Sequence, residues 1–251
     1  MINIDLNNQA IFSKSNIVET YATSYFGTLK VSDIFRNLQE IASLHSDSMK
    51  IGFNDLKEMK GGWVLAKQHL DITELPKAME NYTIHTWSKS LNKLYAIRNF
   101  SLRDANNREI AFSTSTWVLI NLESRRLIPL TKLPMESVVQ FDDNVTTVTP
   151  KIKLNKSSLV NSFKTKIRFS DIDINGHFNN TRYVDLTIDS IAEYFLEHRK
   201  LLSISTNFLH EGKFGDEIEI FSYMITPDEY HHLIYNITND YEMFKAVTKW
   251  N

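Results

Sequence analysis

One pattern constrains this chain most: a long amphipathic segment followed by a run of short strands occurs twice. In the first occurrence, Ile34, Phe35, Leu38, Ile41, Ala42 and Met49 recur at helical spacing and predict a helix over 31–49. Ser32 or Asp33 is placed to cap its start. A β-rich stretch over 17–28 precedes it, and a loop containing Gly52, Gly61 and Gly62 follows. Strand-like runs then cover about 63–73, 81–89, 94–103 and 109–121, with Asp104-Ala105-Asn106-Asn107 as the last turn. The second occurrence has a strand at 162–169 and a helix over 179–198 whose apolar face carries Val184, Ile188, Ile191, Ala192 and Phe195. Strands at about 201–211, 217–226, 230–238 and 241–250 complete it, with Asn239-Asp240 at the last turn. Phe112 to Trp117 is echoed by Phe244 to Trp250 in the two final strands.

A helix followed by an antiparallel meander is an α+β arrangement in which the sheet buries one face against the helix. Its repetition points to a tandem duplication. The expected organisation is a first half over 1–130, a linker over 131–160 and a second half over 161–251. The linker holds Pro134, Pro150 and a lysine-rich stretch of Lys151, Lys153 and Lys156.

Composition removes several classes of function. The 251 residues include no cysteine, which excludes disulfides, thiolate metal ligands and a cysteine nucleophile. A net charge of −2 with no basic arm argues against a nucleic-acid partner. Residues 1–13 carry no apolar run of the signal-peptide kind, and no segment reaches a membrane-spanning length, so a cytoplasmic protein without a membrane partner is expected. There is no Gly-x-Ser-x-Gly elbow, no His-Glu-x-x-His pattern and no glycine-rich phosphate loop. His231 and His232 are adjacent and would diverge on a strand, so no metal and no cofactor is expected.

The segment richest in chemistry is Asp171-Ile-Asp173-Ile-Asn175-Gly176-His177-Phe178-Asn179-Asn180. In an extended chain, Asp171, Asp173, Asn175 and His177 would share one face, with Ile172, Ile174 and Phe178 anchoring the other. Asn179 or Asn180 is placed to cap the helix that follows, so the polar set would sit at a helix N-terminus, which favours developing negative charge. Acid, amide and imidazole together suit attack on a carbonyl. The same residue types are also ordinary loop and capping residues, so the segment alone leaves both readings open.

The run Asp171 to Tyr183, Asp-Ile-Asp-Ile-Asn-Gly-His-Phe-Asn-Asn-Thr-Arg-Tyr, resembles the signature of acyl-acyl carrier protein thioesterases, plant and bacterial enzymes that end fatty-acid biosynthesis. Asn207-Phe-Leu-His210-Glu211 with Gly215-Asp216 resembles a second block of that family, and Gly61-Gly62-Trp63-Val64-Leu65 a weaker one. The resemblance spans nearly the whole chain. It implies a tandem (double) hotdog fold and a hydrolase acting on fatty acyl chains carried by acyl carrier protein. It places the catalytic set at Asp173, Asn175, His177 and Glu211. In the family's terms Glu211 would activate water, Asn175 and His177 would bind and polarise the thioester, and Asp173 would orient them. Many plant members carry a cysteine just after the matching glutamate; here that position is Gly212. Water attack without a covalent thiol intermediate is therefore expected.

Read without the resemblance, Glu211 is a turn carboxylate beside a glycine. His210 is its neighbour and would face the opposite side of a strand. The first half has no acid or histidine at comparable positions in Tyr25 to Val31. Divided labour follows: the first half would supply an apolar acyl pocket, with Ile34, Leu38, Ile41 and the Trp63 strand as candidate lining. An acidic carrier protein would meet basic residues, the candidates being Lys89, Lys93, Arg98, Arg103, Arg108, Lys151 to Arg168, and Arg182 above all. A monomer or a homodimer is expected. The competing functions are a coenzyme A thioesterase, a hotdog dehydratase, and a non-catalytic acyl-lipid binding protein.

Overall fold

The computed structural model describes residues 10–134, 138–141 and 149–251. The chain separates into two compact units, one of residues 1–30 with 34–149, the other of 31–33 with 150–251.

In the first unit, β1 (Phe12–Ile17), α1 (Val31–Ser48), β2 (Gly61–Ile72), β3 (Asn81–Leu91), β4 (Ala96–Asp104) and β5 (Glu109–Asn121) follow in order. The strands pair antiparallel throughout, in the order β1-β3-β4-β5-β2. Helix α1 buries the stripe that its sequence predicted: Ile34, Phe35, Leu38 and Ile41 are all fully buried. Each such side chain contributes roughly 1.5–3 kcal/mol, which is what fixes an 18-residue helix on its sheet. Asn37 Nδ2 donates to Tyr82 Oη on β3 at 2.7 Å and adds a polar tie. The N-cap is Lys30, with no side-chain cap bond; neither Ser32 nor Asp33 takes that place, and both are buried inside the helix instead.

The second unit repeats the pattern with β6 (Leu159–Lys166), α2 (Asn180–Asp189), α3 (Glu193–His198), β7 (Leu201–Phe208), β8 (Glu217–Thr226), β9 (Glu229–Asn236) and β10 (Tyr241–Trp250). Its antiparallel order, β6-β8-β9-β10-β7, is that of the first unit strand for strand. The duplication read from the sequence is therefore real, and the Phe112 and Phe244 strands, β5 and β10, occupy equivalent places. Tyr183 and Leu186 of α2 pack with Ile218, Ile220, Ile234 and Phe244 of the sheet. Each unit is a hotdog: a sheet laid against one main helix.

Two further local expectations fail. The stretch 17–28 is not a strand. It is a short 3-10 turn (Thr20–Ala22) leading to a bridge between Thr23 and Leu29, turned at Gly27 with φ +74°. The edge strand is instead Phe12–Ile17, whose Ser-Lys-Ser-Asn interior carries weak strand propensity and is set by pairing with β3. The helix expected over 179–198 breaks into α2 and α3. Ser190 Oγ donates to the Thr187 carbonyl (2.6 Å) and lies 2.6 Å from Ser222 Oγ on β8, so the helix ends there and Ala192 turns to extended backbone. Among the described residues, no helix is long and apolar enough to cross a membrane.

Candidate active site

The polar segment of the second unit folds as a tight turn rather than an extended strand. Phe169–Asp171 forms a 3-10 turn, and a bridge then joins Ile172 to Phe178. Between them the Asp173 N–H donates to the His177 carbonyl (2.8 Å) and the Gly176 N–H to the Asp173 carbonyl (3.0 Å). Gly176 sits at φ +77°, a conformation that favours glycine. Asp173 closes the turn from inside: its Oδ1 accepts the backbone N–H of Asn175 (2.8 Å) and of His177 (3.1 Å). Ile174, expected to anchor the buried face, is 96% exposed at the apex, because the turn lifts it away from the sheet. Asn175 beside it is also exposed.

Asn179 is the cap that leads into α2; its Oδ1 accepts from the Thr181 N–H (3.0 Å) and Oγ1 (2.9 Å). Asp171 does not join the set. Its carboxylate accepts from the Arg168 N–H (2.9 Å) and Arg182 Nε (3.0 Å), so it acts as a brace at the base of the turn.

Glu211 reaches this turn from the segment just beyond β7. Two backbone contacts fix its approach: the Phe178 N–H donates to the Gly212 carbonyl (2.9 Å), and Tyr241 Oη donates to the Glu211 carbonyl (2.8 Å). The result is a contact of 3.1 Å between His177 Nε2 and Glu211 Oε2, with the side chains 25% and 33% exposed. Both are thus half-shielded and reachable. Tyr183 lies beneath them. Burial raises its pKa, and the nearby Tyr241, Glu211 and Asp173 act in the same direction, against a backbone hydrogen bond at Gly212; the hydroxyl stays neutral and points at the His210 carbonyl (3.4 Å). Tyr183 and Tyr241 are supporting residues that the chemistry-bearing pattern did not single out, although Tyr183 closes the signature run.

His210 points elsewhere, with Nδ1 2.9 Å from the Glu242 carbonyl and its ring over Tyr241. A Cβ at Gly212 would lie 2.4 Å from Met243 Cε and 2.6 Å from Ile167 Cδ1, the free ends of two buried side chains, so a larger residue there fits only if those ends shift.

The first unit contains the same turn without the chemistry. The Ser24 N–H donates to the Thr28 carbonyl (2.7 Å), the Gly27 N–H to the Ser24 carbonyl (2.9 Å), and the Leu29 N–H to the Pro76 carbonyl (2.8 Å). These bonds match, one for one, those of Asp173, Gly176 and Phe178. By that correspondence Ser24, Phe26, Thr28 and Leu75 stand where the second unit has Asp173, Asn175, His177 and Glu211.

The first unit instead holds a cavity of about 230 Å³. Trp63 lines it as expected, but Ile34, Leu38 and Ile41 are sealed in the core; the wall is made by the other side of α1, with Gln39, Ser43 and Ser46. Two of the proposed surface cations are also misplaced by the sequence reading. Arg98 and Arg103 are buried on β4, a strand paired on both sides. Arg182 is held by Asp171 and Asp185, which largely neutralises it.

Comparison with known proteins agrees with this architecture. The family model for the acyl-ACP thioesterase N-terminal domain matches residues 9–137, and that for the C-terminal domain matches 152–251. An oleoyl-acyl carrier protein thioesterase of Arabidopsis thaliana is 26% identical over 237 residues, covering 87% of this chain and 64% of that protein. The chain thus spans somewhat under two thirds of the length of such curated relatives. An acyl-ACP thioesterase structure from Bacteroides thetaiotaomicron superposes with a TM-score of 0.88 at 22% identity, covering 96% of this chain and 98% of that one. The 12:0-ACP thioesterase from Umbellularia californica gives 0.82 at 19%, covering 97% and 98%. With both of its units matched by the family's two domain models, the chain belongs to the acyl-ACP thioesterase family.

Proposed function

We propose that this protein hydrolyses fatty acyl thioesters of acyl carrier protein, releasing free fatty acid and the carrier thiol. The observation that carries this reading is the 3.1 Å contact between His177 Nε2 and Glu211 Oε2, at a turn that also presents Asn175 to solvent. In the proposed reaction Glu211 takes a proton from water as its oxygen attacks the thioester carbonyl. His177 and Asn175 supply hydrogen bonds to the carbonyl oxygen as it gains negative charge. Collapse of the tetrahedral species breaks the C–S bond, and the departing sulfur takes up the proton. Asp173 holds the backbone that carries both donors. No thiol takes part, since the chain has no cysteine. The first unit, with its cavity and with Ser24, Thr28 and Leu75 in place of the reactive set, is the acyl-holding half.

The test is thiol release from acyl chains of several lengths on carrier protein, beside the same chains on coenzyme A and a hydroxyacyl carrier assayed for loss of water. Release from the carrier substrate at the highest kcat/KM supports the proposal. Preference for coenzyme A or dehydration moves the protein to the corresponding alternative activity, and binding without turnover makes it a carrier of acyl lipids.

A further inference from the structure

The two units share more than the turn. In the second unit the Gly215 N–H donates to the Ile167 carbonyl (3.0 Å), the Ile167 N–H to the Asp216 carbonyl (2.9 Å) and the Lys213 N–H to Asp216 Oδ2 (3.0 Å). The first unit has the same bonds, from Met79 to Val18 (2.8 Å), from Val18 to Glu80 (2.9 Å) and from the Lys77 N–H to Glu80 Oε2 (2.8 Å). What is built on them differs. Asp216 is buried, and its Oδ2 also accepts from Asn236 Nδ2 (2.8 Å) at the end of β9. Asn236 is fully buried and gives the second hydrogen of the same amide to Tyr241 Oη (3.3 Å). Asn239 holds this amide from the other side, its N–H donating to Asn236 Oδ1 (2.9 Å) and its Nδ2 to Asp216 Oδ1 (3.1 Å). With Oη accepting from Asn236, the single Tyr241 proton is directed to the Glu211 carbonyl (2.8 Å). Burial raises the Tyr241 pKa, with Asp216 and Glu211 adding to it against the Asn236 hydrogen bond, so the hydroxyl keeps that proton.

In the first unit Glu109 stands opposite Arg103 at the end of β4 and β5, as Tyr241 stands opposite Asn236 at the end of β9 and β10. Its side chain turns to Ser101 Oγ (2.7 Å) and Arg103 Nη2 (3.7 Å), and a carboxylate has no proton to give. Glu80, in the place of Asp216, is exposed. The shared turn therefore folds without the chain of bonds from Asp216 through Asn236 to Tyr241, and that chain belongs to the unit that carries His177 and Glu211. Burying a carboxylate and a carboxamide is costly and is tolerated only where each is fully bonded. We infer that Tyr241 is a positioning residue for the hydrolytic step, held by Asn236 and Asp216 so that the Glu211 carboxylate stays beside His177. The inference rests on the proposed role of Glu211 as the base.

Thiol release from acyl-carrier substrate by the wild type, Tyr241→Phe, Glu211→Gln and the double variant tests it, in steady state and in single turnover. Tyr241→Phe removes one hydroxyl and keeps the ring, so it should melt within about 4 °C of the wild type. Its kcat should fall roughly 10- to 100-fold through misplacement of Glu211, with KM changed less than about twofold. In Glu211→Gln, where no base is left to place, the same substitution should cost less than about threefold, whereas a hydroxyl that only supports the fold would cost the same factor in both backgrounds. A Tyr241→Phe rate within about threefold of the wild type, or equal losses in the two backgrounds, overturns the inference and leaves the proposed reaction standing. A Glu211→Gln protein as fast as an active wild type removes the proposed reaction and this inference together.

Discussion

Asp173 is the residue whose role the geometry specifies most narrowly. Its Oδ1 accepts two backbone N–H groups, of Asn175 at 2.8 Å and of His177 at 3.1 Å, and so determines where the imidazole stands relative to Glu211. Removing the acceptor in Asp173→Ala leaves both donors to water in a half-exposed turn. At about 1 kcal/mol for each bond the loss is about 2 kcal/mol, or roughly 4–8 °C in Tm for a chain of this size. Catalysis should suffer more, because a displacement of about 1 Å in a reacting group can cost about 100-fold. Asp173→Asn keeps a carbonyl oxygen in the same place; it should melt within about 3 °C of the wild type and lose less than about tenfold in kcat/KM. Thermal denaturation and thiol-release kinetics on the three proteins measure both quantities. If Asp173→Asn is as inactive as Asp173→Ala while remaining as stable as the wild type, Asp173 acts through its charge and the positioning argument is wrong.

Three further outcomes are expected. Gly212→Ala must push Met243 Cε and Ile167 Cδ1 aside in a filled core, which should cost about 1–3 kcal/mol in denaturant unfolding; an unchanged midpoint would show that the core yields freely. His232 is buried between Ser222, Ser190 and Thr248, and burial, with the His231 charge adding, lowers its pKa to about 3. Below about pH 6.5 the unfolded imidazole therefore binds a proton that the folded one refuses, so stability is fully present above that pH and declines towards pH 3. At pH 5 the loss is about 2 kcal/mol, and His45 adds to it in the same direction; equal unfolding free energies at pH 7 and pH 5 would contradict this. Thiol-alkylating reagents should leave activity intact, since no cysteine is present, and inactivation at low reagent concentration would count against the mechanism.

Helical periodicity and strand composition made the duplicated architecture legible, because each apolar stripe had to face a sheet. Ile34, Phe35, Leu38 and Ile41 could be assigned to a core from spacing alone, although not to the cavity wall, since which flank of a helix borders a void depends on packing. The edge strand β1 was illegible because its pairing with β3, not its side chains, makes it a strand. The end of α2 was equally hidden: the apolar face continues through Ile191 and Phe195, and only the Ser190 contact with β8 shows why the helix stops. In the site, alternation from Asp171 to Asn175 suggested a strand, whereas Gly176 at positive φ and the Asp173 side chain make a turn and leave Ile174 in solvent. Glu211 carried no local signal of its own. It became a candidate through the family resemblance, and its meeting with His177 depends on the Phe178–Gly212 and Tyr241 contacts, which no linear pattern displays.

The account rests on the carboxylate of Glu211 taking the proton from water beside His177. Single-turnover thiol release from acyl-carrier substrate by Glu211→Gln, which keeps the shape and the backbone anchors of the side chain, measures this directly. A fall of about 10²–10⁴ in rate with Tm shifted by no more than about 3 °C is the predicted result. A Glu211→Gln protein that turns over as fast as an active wild type would contradict the account.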